Sequence, residues 1–201
     1  MTDEILARLQ EYNRAISIDA KDRLRHSQNL QPLLIDSRGL RLGQPKLRLW
    51  RDGADFNDYD PQTLTVFEPF DDQAPLLRKA VWKFSVDTEA TRECYEGRLL
   101  ETLPKPIPTF EVQDRRIDRS RFEALLEEAC EWRLPVVWPW HMEQDAVTSG
   151  SRTVGFQFYS KPQPQASVQC SWSVDLPPEW EPVVDWFGRM LDWLDGHFVE
   201  P

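Results

Sequence analysis

Glycine is scarce in this sequence, which has 8 glycines among its 201 residues. Neither Gly-x-Gly-x-x-Gly nor Gly-x-x-x-x-Gly-Lys-Ser/Thr occurs, although backbone amides in such loops usually hold a nucleotide phosphate. Kinase, P-loop and dinucleotide-binding functions are therefore disfavoured. The segment Ser149-Gly150-Ser151 also fails to complete the Gly-x-Ser-x-Gly motif of serine hydrolases.

Paired cysteines and long apolar runs are lacking as well. Cys94, Cys130 and Cys170 are odd in number and form no Cys-x-x-Cys pair, which disfavours a disulfide framework and a zinc knuckle. Their apolar surroundings predict buried free thiols. No apolar run approaches the roughly 18 residues of a membrane-spanning helix. The N-terminus is acidic where a leader peptide would be basic, so we expect a cytoplasmic protein.

Basic residues are too few to balance the acids: 24 Lys and Arg stand against 34 Asp and Glu, a net charge of −10. This balance disfavours binding to nucleic acids and to anionic membranes, because both require neutralisation of phosphate. The acids cluster in residues 52–77, with seven acids and no base, and in 175–201, with seven acids and one arginine. Residues 14–51 instead carry nine bases and three acids. The sequence thus predicts a dipolar protein that is able to meet a basic partner.

Three segments have the apolar spacing of amphipathic helices. Ile5, Leu9, Tyr12 and Ile16 recur every three or four residues and predict a helix over 3–17, with a second short helix from Ala20 to Gln28. A middle helix is expected at about 119–132, with Asp118 or Ser120 as its N-cap. A C-terminal helix is expected at about 178–195, because prolines open it and Trp180, Val183, Val184, Phe187, Leu191 and Leu194 form an apolar stripe.

Alternating apolar residues predict strands between these helices. One hairpin is expected over residues 40–50, turning at Gly43-Gln44-Pro45, and another joins a strand around Val154–Phe158 to one around Val168–Val174. Further strands are expected at 63–67, at 79–86, where Ala80, Trp82, Phe84 and Val86 share a face, and at 110–112. Another is expected at 92–100, where a helix is the alternative but Gly97 favours a strand.

This succession of elements predicts an α+β fold. We expect a mostly antiparallel sheet of about six to eight strands, with the N-terminal, middle and C-terminal helices packed on it. Residues 1–201 are interpreted as a single globular domain. The proline-rich connector 103–109 is the one place for a subdomain break.

The candidate interface combines acids with aromatic rings in two places. Trp186 and Trp193 stand away from the centre of the C-terminal apolar stripe, beside Asp185 and Asp192. Exposed tryptophan is typical of docking surfaces, whereas the alternative is that sheet or loop covers these rings. The acidic loop around 52–60 adds four more candidates, namely Asp55, Phe56, Asp58 and Tyr59.

An alternative pocket is suggested by Trp138, Trp140, His141 and Glu143. His141-Met142-Glu143 matches the His-x-Glu of zinc deaminases, but the Pro-Cys-x-x-Cys that completes their site is missing. Local stacking of the histidine is the simpler interpretation. The dense acids of 52–60 resemble a calcium ligand set in chemistry but not in spacing, and a solvated turn is favoured.

These observations favour a non-catalytic cytosolic protein that binds another protein. The expected type is a bacterial inhibitor or immunity-type protein that neutralises a basic partner such as a toxin. One alternative is a hydrolase-like enzyme with a carboxylate and His141 site in an aromatic-walled cleft, and a second is a chaperone or adaptor for a secreted effector. No cofactor and no metal are expected, and the oligomeric state is left open.

Overall fold

The computed structural model describes residues 3–30, 43–52, 60–69, 73–89, 107–132, 153–159, 167–172 and 178–199. These residues form four helices and one six-stranded sheet, which confirms the predicted α+β class. The helices are α1 (Asp3–Arg25), α2 (84–89), α3 (Arg119–Cys130) and α4 (Glu181–Asp195). The strands are β1 (Gln44–Asp52), β2 (Gln62–Glu68), β3 (Leu76–Trp82), β4 (Phe110–Arg116), β5 (Thr153–Tyr159) and β6 (Ser167–Trp172).

The sheet has the strand order β4-β3-β2-β1-β5-β6, and every neighbouring pair is antiparallel. Leu49 of β1 stands opposite Leu64 of β2 and Phe156 of β5, so these three side chains point to the same face. The other face carries Arg48 of β1 and Arg78 of β3. Both faces are covered by helices, so the molecule has three layers.

Helices α3 and α4 cover the apolar face. The buried positions of α4 are spaced by three and four residues, which places them on one side of the helix: Val183, Trp186, Phe187, Met190, Leu191 and Leu194. They pack on Leu49, Leu64 and Phe156 in one core cluster. The predicted C-terminal helix is therefore confirmed, but its stripe is rotated from the expected one, because Val184 is 37% exposed and Trp186 is buried.

Helix α1 covers the opposite face. Ile16, Ala20 and Leu24 follow one another at four-residue spacing and pack on Ala80 and Trp82 of β3. Since this apolar line does not break, the helix continues to Arg25 instead of ending near residue 17. The second short helix expected from Ala20 is therefore part of the first. Within the residues described here, no helix is both long enough and apolar enough to cross a membrane.

A buried arginine fastens the chain after α1 to the sheet. Arg78 has no exposed surface, and its Nε and Nη2 donate to the two carboxylate oxygens of Asp114, each at 2.8 Å. Its Nη1 also donates to the carbonyl oxygens of Ser27, at 3.1 Å, and Leu30, at 3.0 Å. One side chain thus joins β3, β4 and the segment that follows α1.

The first predicted hairpin is wrong in its turn. Strand β1 begins at Gln44, inside the expected turn, and pairs with β2 and β5 along its length. The register shifts between Pro45 and Leu47, so the proline marks a bulge in the strand. A Cβ at Gly43 would lie 1.5 Å from the carbonyl oxygen of Glu68, so the glycine marks a close approach of two backbones. Leu40 and Leu42 lie outside the described residues.

The strand expected over 79–86 is also too long. Strand β3 ends at Trp82, and Phe84 and Val86 lie in helix α2. The amide of Lys83 donates to the carbonyl of Thr109 at 2.8 Å, while the indole Nε1 of Trp82 donates to Asp87 at 2.6 Å. The first bond extends the pairing of β3 with β4 by one residue, and the second closes a local turn at the end of the strand. The apolar alternation across 80–86 therefore covers the end of a strand and the start of a helix, and it does not indicate one continuous strand.

Three other predictions hold in detail. Strand β2 contains the expected 63–67, and β5 pairs with β6 from Val154 opposite Trp172 to Tyr159 opposite Ser167. Asp118 is the N-cap of α3, and its carboxylate accepts a hydrogen bond from the amide of Arg121 at 2.7 Å. The strand predicted at 92–100 lies outside the described residues.

Replacing Asp114 by alanine is expected to lower the free energy of unfolding by about 3–5 kcal/mol, because it leaves the Arg78 charge buried without a counter-charge. Urea denaturation checks this value. Asp22→Ala is the matched control, since the Asp22 side chain is 67% exposed, and its effect should stay within about 0.5 kcal/mol. Equal effects of the two substitutions would contradict the structural role given to Arg78.

Candidate functional site

Trp186 is not an exposed interface residue, contrary to the sequence prediction. Its side chain has no exposed surface, and its indole Nε1 donates to the carbonyl oxygen of Leu125 at 2.7 Å. The ring makes edge contacts with Trp132, at 4.8 Å between ring centres, and with Phe156, at 5.5 Å. Helix α3 therefore covers this flank of α4, and Trp186 belongs to the core.

Trp193 is half-buried at the junction of α3 and α4. The guanidinium of Arg121 lies 5.3 Å from the centre of its ring, and the ring of His197 lies 5.5 Å away. Since the chaperone hypothesis needed Trp186 and Trp193 as an exposed apolar pair, the burial of Trp186 removes its basis.

Asp185 and Asp192 are exposed, as the interface prediction requires. Asp185 and Asp192 lie on the outer side of α4 together with Glu181, and these three acids form the acidic stripe. Within the described part of the chain, neither Asp185 nor Asp192 forms an ion pair. The base nearest to them on α4 is Arg189, which binds Glu128 of α3. Among the described residues, the acidic stripe is therefore exposed and forms no ion pair through Asp185 or Asp192.

The two helical layers differ in net charge. Helices α3 and α4 together carry seven acids and three arginines, a net charge of −4. On the other face, helix α1 carries five bases and five acids, and four of the bases lie in residues 14–25 against two acids. The described helices therefore form an acidic layer on one face and, on the other, a layer without net charge whose C-terminal half is basic.

A groove of about 730 Å³ runs between α4 and the sheet, beside the acidic stripe. Its polar side is built from residues at the strand ends and includes Arg51, Asp60, Gln62, Lys79, Lys83 and Glu111. Its apolar side includes Val154, Trp172, Val184, Phe187, Leu191 and Phe198. The size falls within the usual range of about 300–1,000 Å³ for ligand sites. The groove is therefore large enough for several side chains of a partner.

Lys79, Lys83 and Glu111 are already paired in this groove. The ammonium of Lys79 lies 2.6 Å from the carboxylate of Asp195, and that of Lys83 lies 2.6 Å from Glu111, which also accepts from Gln113 at 2.7 Å. The hydrogen bond from Lys83 holds the pKa of Glu111 below its usual range, and the same bond raises the pKa of Lys83. Glu111 thus stays ionised and Lys83 stays protonated near neutral pH. This arrangement suits binding better than proton transfer.

Gly188 keeps the groove open at the middle of α4. No described residue places an atom within 4 Å of a Cβ built at Gly188, and the residue lines the groove. Glycine within a helix is less favourable than alanine by about 1 kcal/mol. No close packing in the described part of the structure requires a glycine at this position. The open space of the groove beside it accounts for the missing side chain.

Eight of the predicted interface and pocket residues lie outside the described residues, and their roles stay predictions: Asp55, Phe56, Asp58, Tyr59, Trp138, Trp140, His141 and Glu143. The ends of the acidic loop are described. The carboxylate of Asp52 lies 2.8 Å from the ammonium of Lys21, and that of Asp60 accepts from the amide of Ser85 at 3.2 Å. Among the described residues, no group of three or more His, Cys, Asp or Glu is placed to hold a metal ion.

The prediction of buried thiols is wrong for Cys130, which is exposed at the C-terminal end of α3. It fails there because the apolar stripe of α3 ends at Ala129, one residue earlier. Cys170 is half-buried in β6, and burial raises the pKa of its thiol. Cys94 lies outside the described residues.

Comparison of this chain with protein-family models, with curated proteins and with solved structures finds no match.

Gly188→Ala is expected to raise the free energy of unfolding by about 0.5–1 kcal/mol, because alanine is the better helix former and its methyl group meets open space. Gly155→Ala is the matched control. A Cβ at Gly155 would lie 2.4 Å from both the carbonyl oxygen of Cys170 and the ring of Trp50, so this variant should be destabilised. Thermal or urea unfolding measures both. Destabilisation by Gly188→Ala would show that the position is packed.

The stability of the protein should fall at mildly acidic pH because of His197. Burial lowers the pKa of this imidazole below its ordinary 6.5, and Arg121 lowers it further. The folded state thus favours the neutral ring, so its contribution is fully present above pH 6.5 and is lost as the pH falls through the folded-state pKa. Urea unfolding at several pH values should show a smaller loss for His197→Gln. Identical pH profiles for the two proteins would refute this assignment.

Proposed function

We propose that this protein binds a basic protein partner without catalysing a reaction, through the acidic stripe of α4 and the groove beside it. The observation that carries the proposal is that Asp185 and Asp192 are exposed and form no ion pair with any described residue, beside an open groove on the same helix. The fitting class of protein is an inhibitor, such as a bacterial immunity-type protein that neutralises a cationic toxin.

The charge arrangement supports a basic partner. An acidic layer attracts cationic proteins over distances of about 10 Å at ordinary ionic strength and raises their association rate. Helix α1 on the opposite face has no net charge, so the attraction of a basic partner is directed to the face that α3 and α4 cover. Such electrostatic complementarity contributes more to rate and specificity than to affinity. The affinity then has to come from buried contacts.

The groove supplies a place for those buried contacts. Val184, Trp172 and Phe187 form an apolar wall next to the acidic stripe, and Gly188 leaves room between them. Interfaces draw most of their binding energy from a few anchor side chains in desolvated pockets. A lysine or arginine of the partner combines both contacts, because its stem is apolar and its head is charged.

A catalytic use of the groove is less well supported. Lys79 and Lys83 are each bound to a carboxylate, so neither is a free base or nucleophile. The carboxylate and His141 site of the enzyme hypothesis falls outside the described residues, and no observation favours it. Binding is therefore the function that the described geometry supports best.

The proposal predicts that charge reversal on α4 abolishes binding. The full chain is used as bait in the cell extract of its host, and the retained protein is purified and titrated. Asp185→Lys with Asp192→Lys should weaken binding at least tenfold, and the affinity of the unaltered protein should fall as salt rises. The control is Glu11→Lys with Asp22→Lys, which makes the same change of charge on exposed positions of α1. If both double variants bind alike, the acidic stripe is not the interface.

A second variant tests the contribution of the groove to binding separately from the contribution of the acids. Gly188→Trp fills the open space without altering any acid, so it should weaken binding while leaving the salt dependence unchanged. Circular dichroism verifies that the helix is intact. Undiminished binding by Gly188→Trp would exclude the groove from the interface even if the acidic stripe takes part.

A further inference from the structure

Two arginines are buried on the face of the sheet that α1 covers, and they differ in their hydrogen-bond partners. Arg78 binds the carboxylate of Asp114 with two hydrogen bonds. Arg48 is only 4% exposed, yet no described carboxylate pairs with it. Its Nη1 donates to the carbonyl oxygen of Arg25 at 2.9 Å, and its Nε is buried without a hydrogen-bond partner. The ring of Trp50 lies 4.7 Å from its guanidinium carbon.

A buried guanidinium without a counter-charge is unfavourable, because its lost hydration is not replaced. Burial lowers the pKa of Arg48, Tyr159 acts in the opposite direction, and the nearby Arg25 lowers it further. One carbonyl and one aromatic face offset only part of this cost. Among the described residues, no carboxylate binds Arg48, whereas Asp114 binds Arg78.

A cavity of about 230 Å³ lies beside Arg48, between the C-terminal end of α1 and strands β1, β5 and β6. Its charged lining is Lys21, Arg25, Arg48 and Arg51 against the single acid Asp52. Asp52 is bound by Lys21 at 2.8 Å, so the three arginines have no acid of the lining left to neutralise them. A net charge of +3 around one small cavity is unusual in a chain whose net charge is −10.

The remaining lining is suited to hydrogen bonding. Thr153, Gln169 and Ser171 contribute neutral polar side chains, and Trp50 forms a wall. Gly155 makes this wall possible, because any larger residue there would collide with the Trp50 ring. Arginine guanidinium groups with nearby hydroxyls and amides are the groups that bind phosphate and carboxylate oxygens in proteins.

We propose that this cavity binds a small oxyanion, a phosphate or carboxylate group, whose negative charge lies beside Arg48 and Arg25. The volume is below the usual range of about 300–1,000 Å³ for drug-sized ligands, so the occupant is a free ion or the charged end of a small metabolite. The cavity shares Arg51, Asp52 and Gln62 with the lining of the groove, whereas Arg25, Thr153, Gln169 and Ser171 line the cavity alone. Its test on these four residues therefore does not depend on the protein-binding function proposed above.

Titration with inorganic phosphate, followed by amide chemical shifts in NMR spectra, tests the proposal. Saturable shifts are expected at Thr153, Gln169 and Ser171. Arg25→Gln should weaken phosphate binding at least tenfold. The matched control is Arg23→Gln, which removes the same charge from the same helix, because Arg23 pairs with Asp19 and does not line the cavity. Equal weakening by both variants, or shifts that do not saturate, would overturn the proposal.

A second experiment places the missing anion in the chain itself. Ser171→Asp puts a carboxylate into the cavity, so it should raise the melting temperature and abolish the response to phosphate. Ser171→Asn has the same shape without the charge and should do neither. Titration with acetate then separates the ligand types, since binding of acetate indicates a general oxyanion site and binding of phosphate alone indicates a phosphate site. A Ser171→Asp variant that binds phosphate as tightly as the unaltered protein would refute the site.

Discussion

The buried pair of Arg78 and Asp114 is the interaction on which the layered structure depends. It joins the neighbouring strands β3 and β4 by two hydrogen bonds, and the same guanidinium binds the carbonyls of Ser27 and Leu30. An ion pair at this depth gains little net stability over an apolar packing, but it is costly to disrupt. Its main effect is positional: the chain that leaves α1 is held against one face of the sheet. The other face is then available to α3 and α4.

Because the helices are divided between the two faces, their charges are divided as well. The acids of α3 and α4 lie across the sheet from Lys21 and Arg25 at the C-terminal end of α1. Arg48 faces this basic end of α1. Arg78 is neutralised by a carboxylate from the neighbouring strand. Among the described residues, Arg48 instead contacts a tryptophan ring and a carbonyl oxygen.

The regular elements were largely predictable from the sequence, whereas the site was not. The apolar alternation of strands and the apolar spacing of helices depend on residues close in sequence, so the β5–β6 hairpin and the position of α4 are predicted correctly. The burial of Trp186 depends on how α3 crosses α4, which no local pattern encodes. The burial of Arg48 and Arg78 was not predictable from local pattern either, because a charged residue in a strand normally indicates the solvent face. Their burial requires knowledge of what α1 covers.

The groove could have been inferred in part from the position of Gly188 in the sequence. A glycine in the middle of a strongly amphipathic helix is unfavourable, and it persists where close packing or open space is needed. No described residue packs closely against it, so space is the remaining reason. That space adjoins the exposed Val184 and the acids of the stripe, so one helix contributes to the core, the groove wall and the charged surface. Charge and an apolar recess therefore lie side by side on α4, and both are fixed by the packing of this one helix on the sheet.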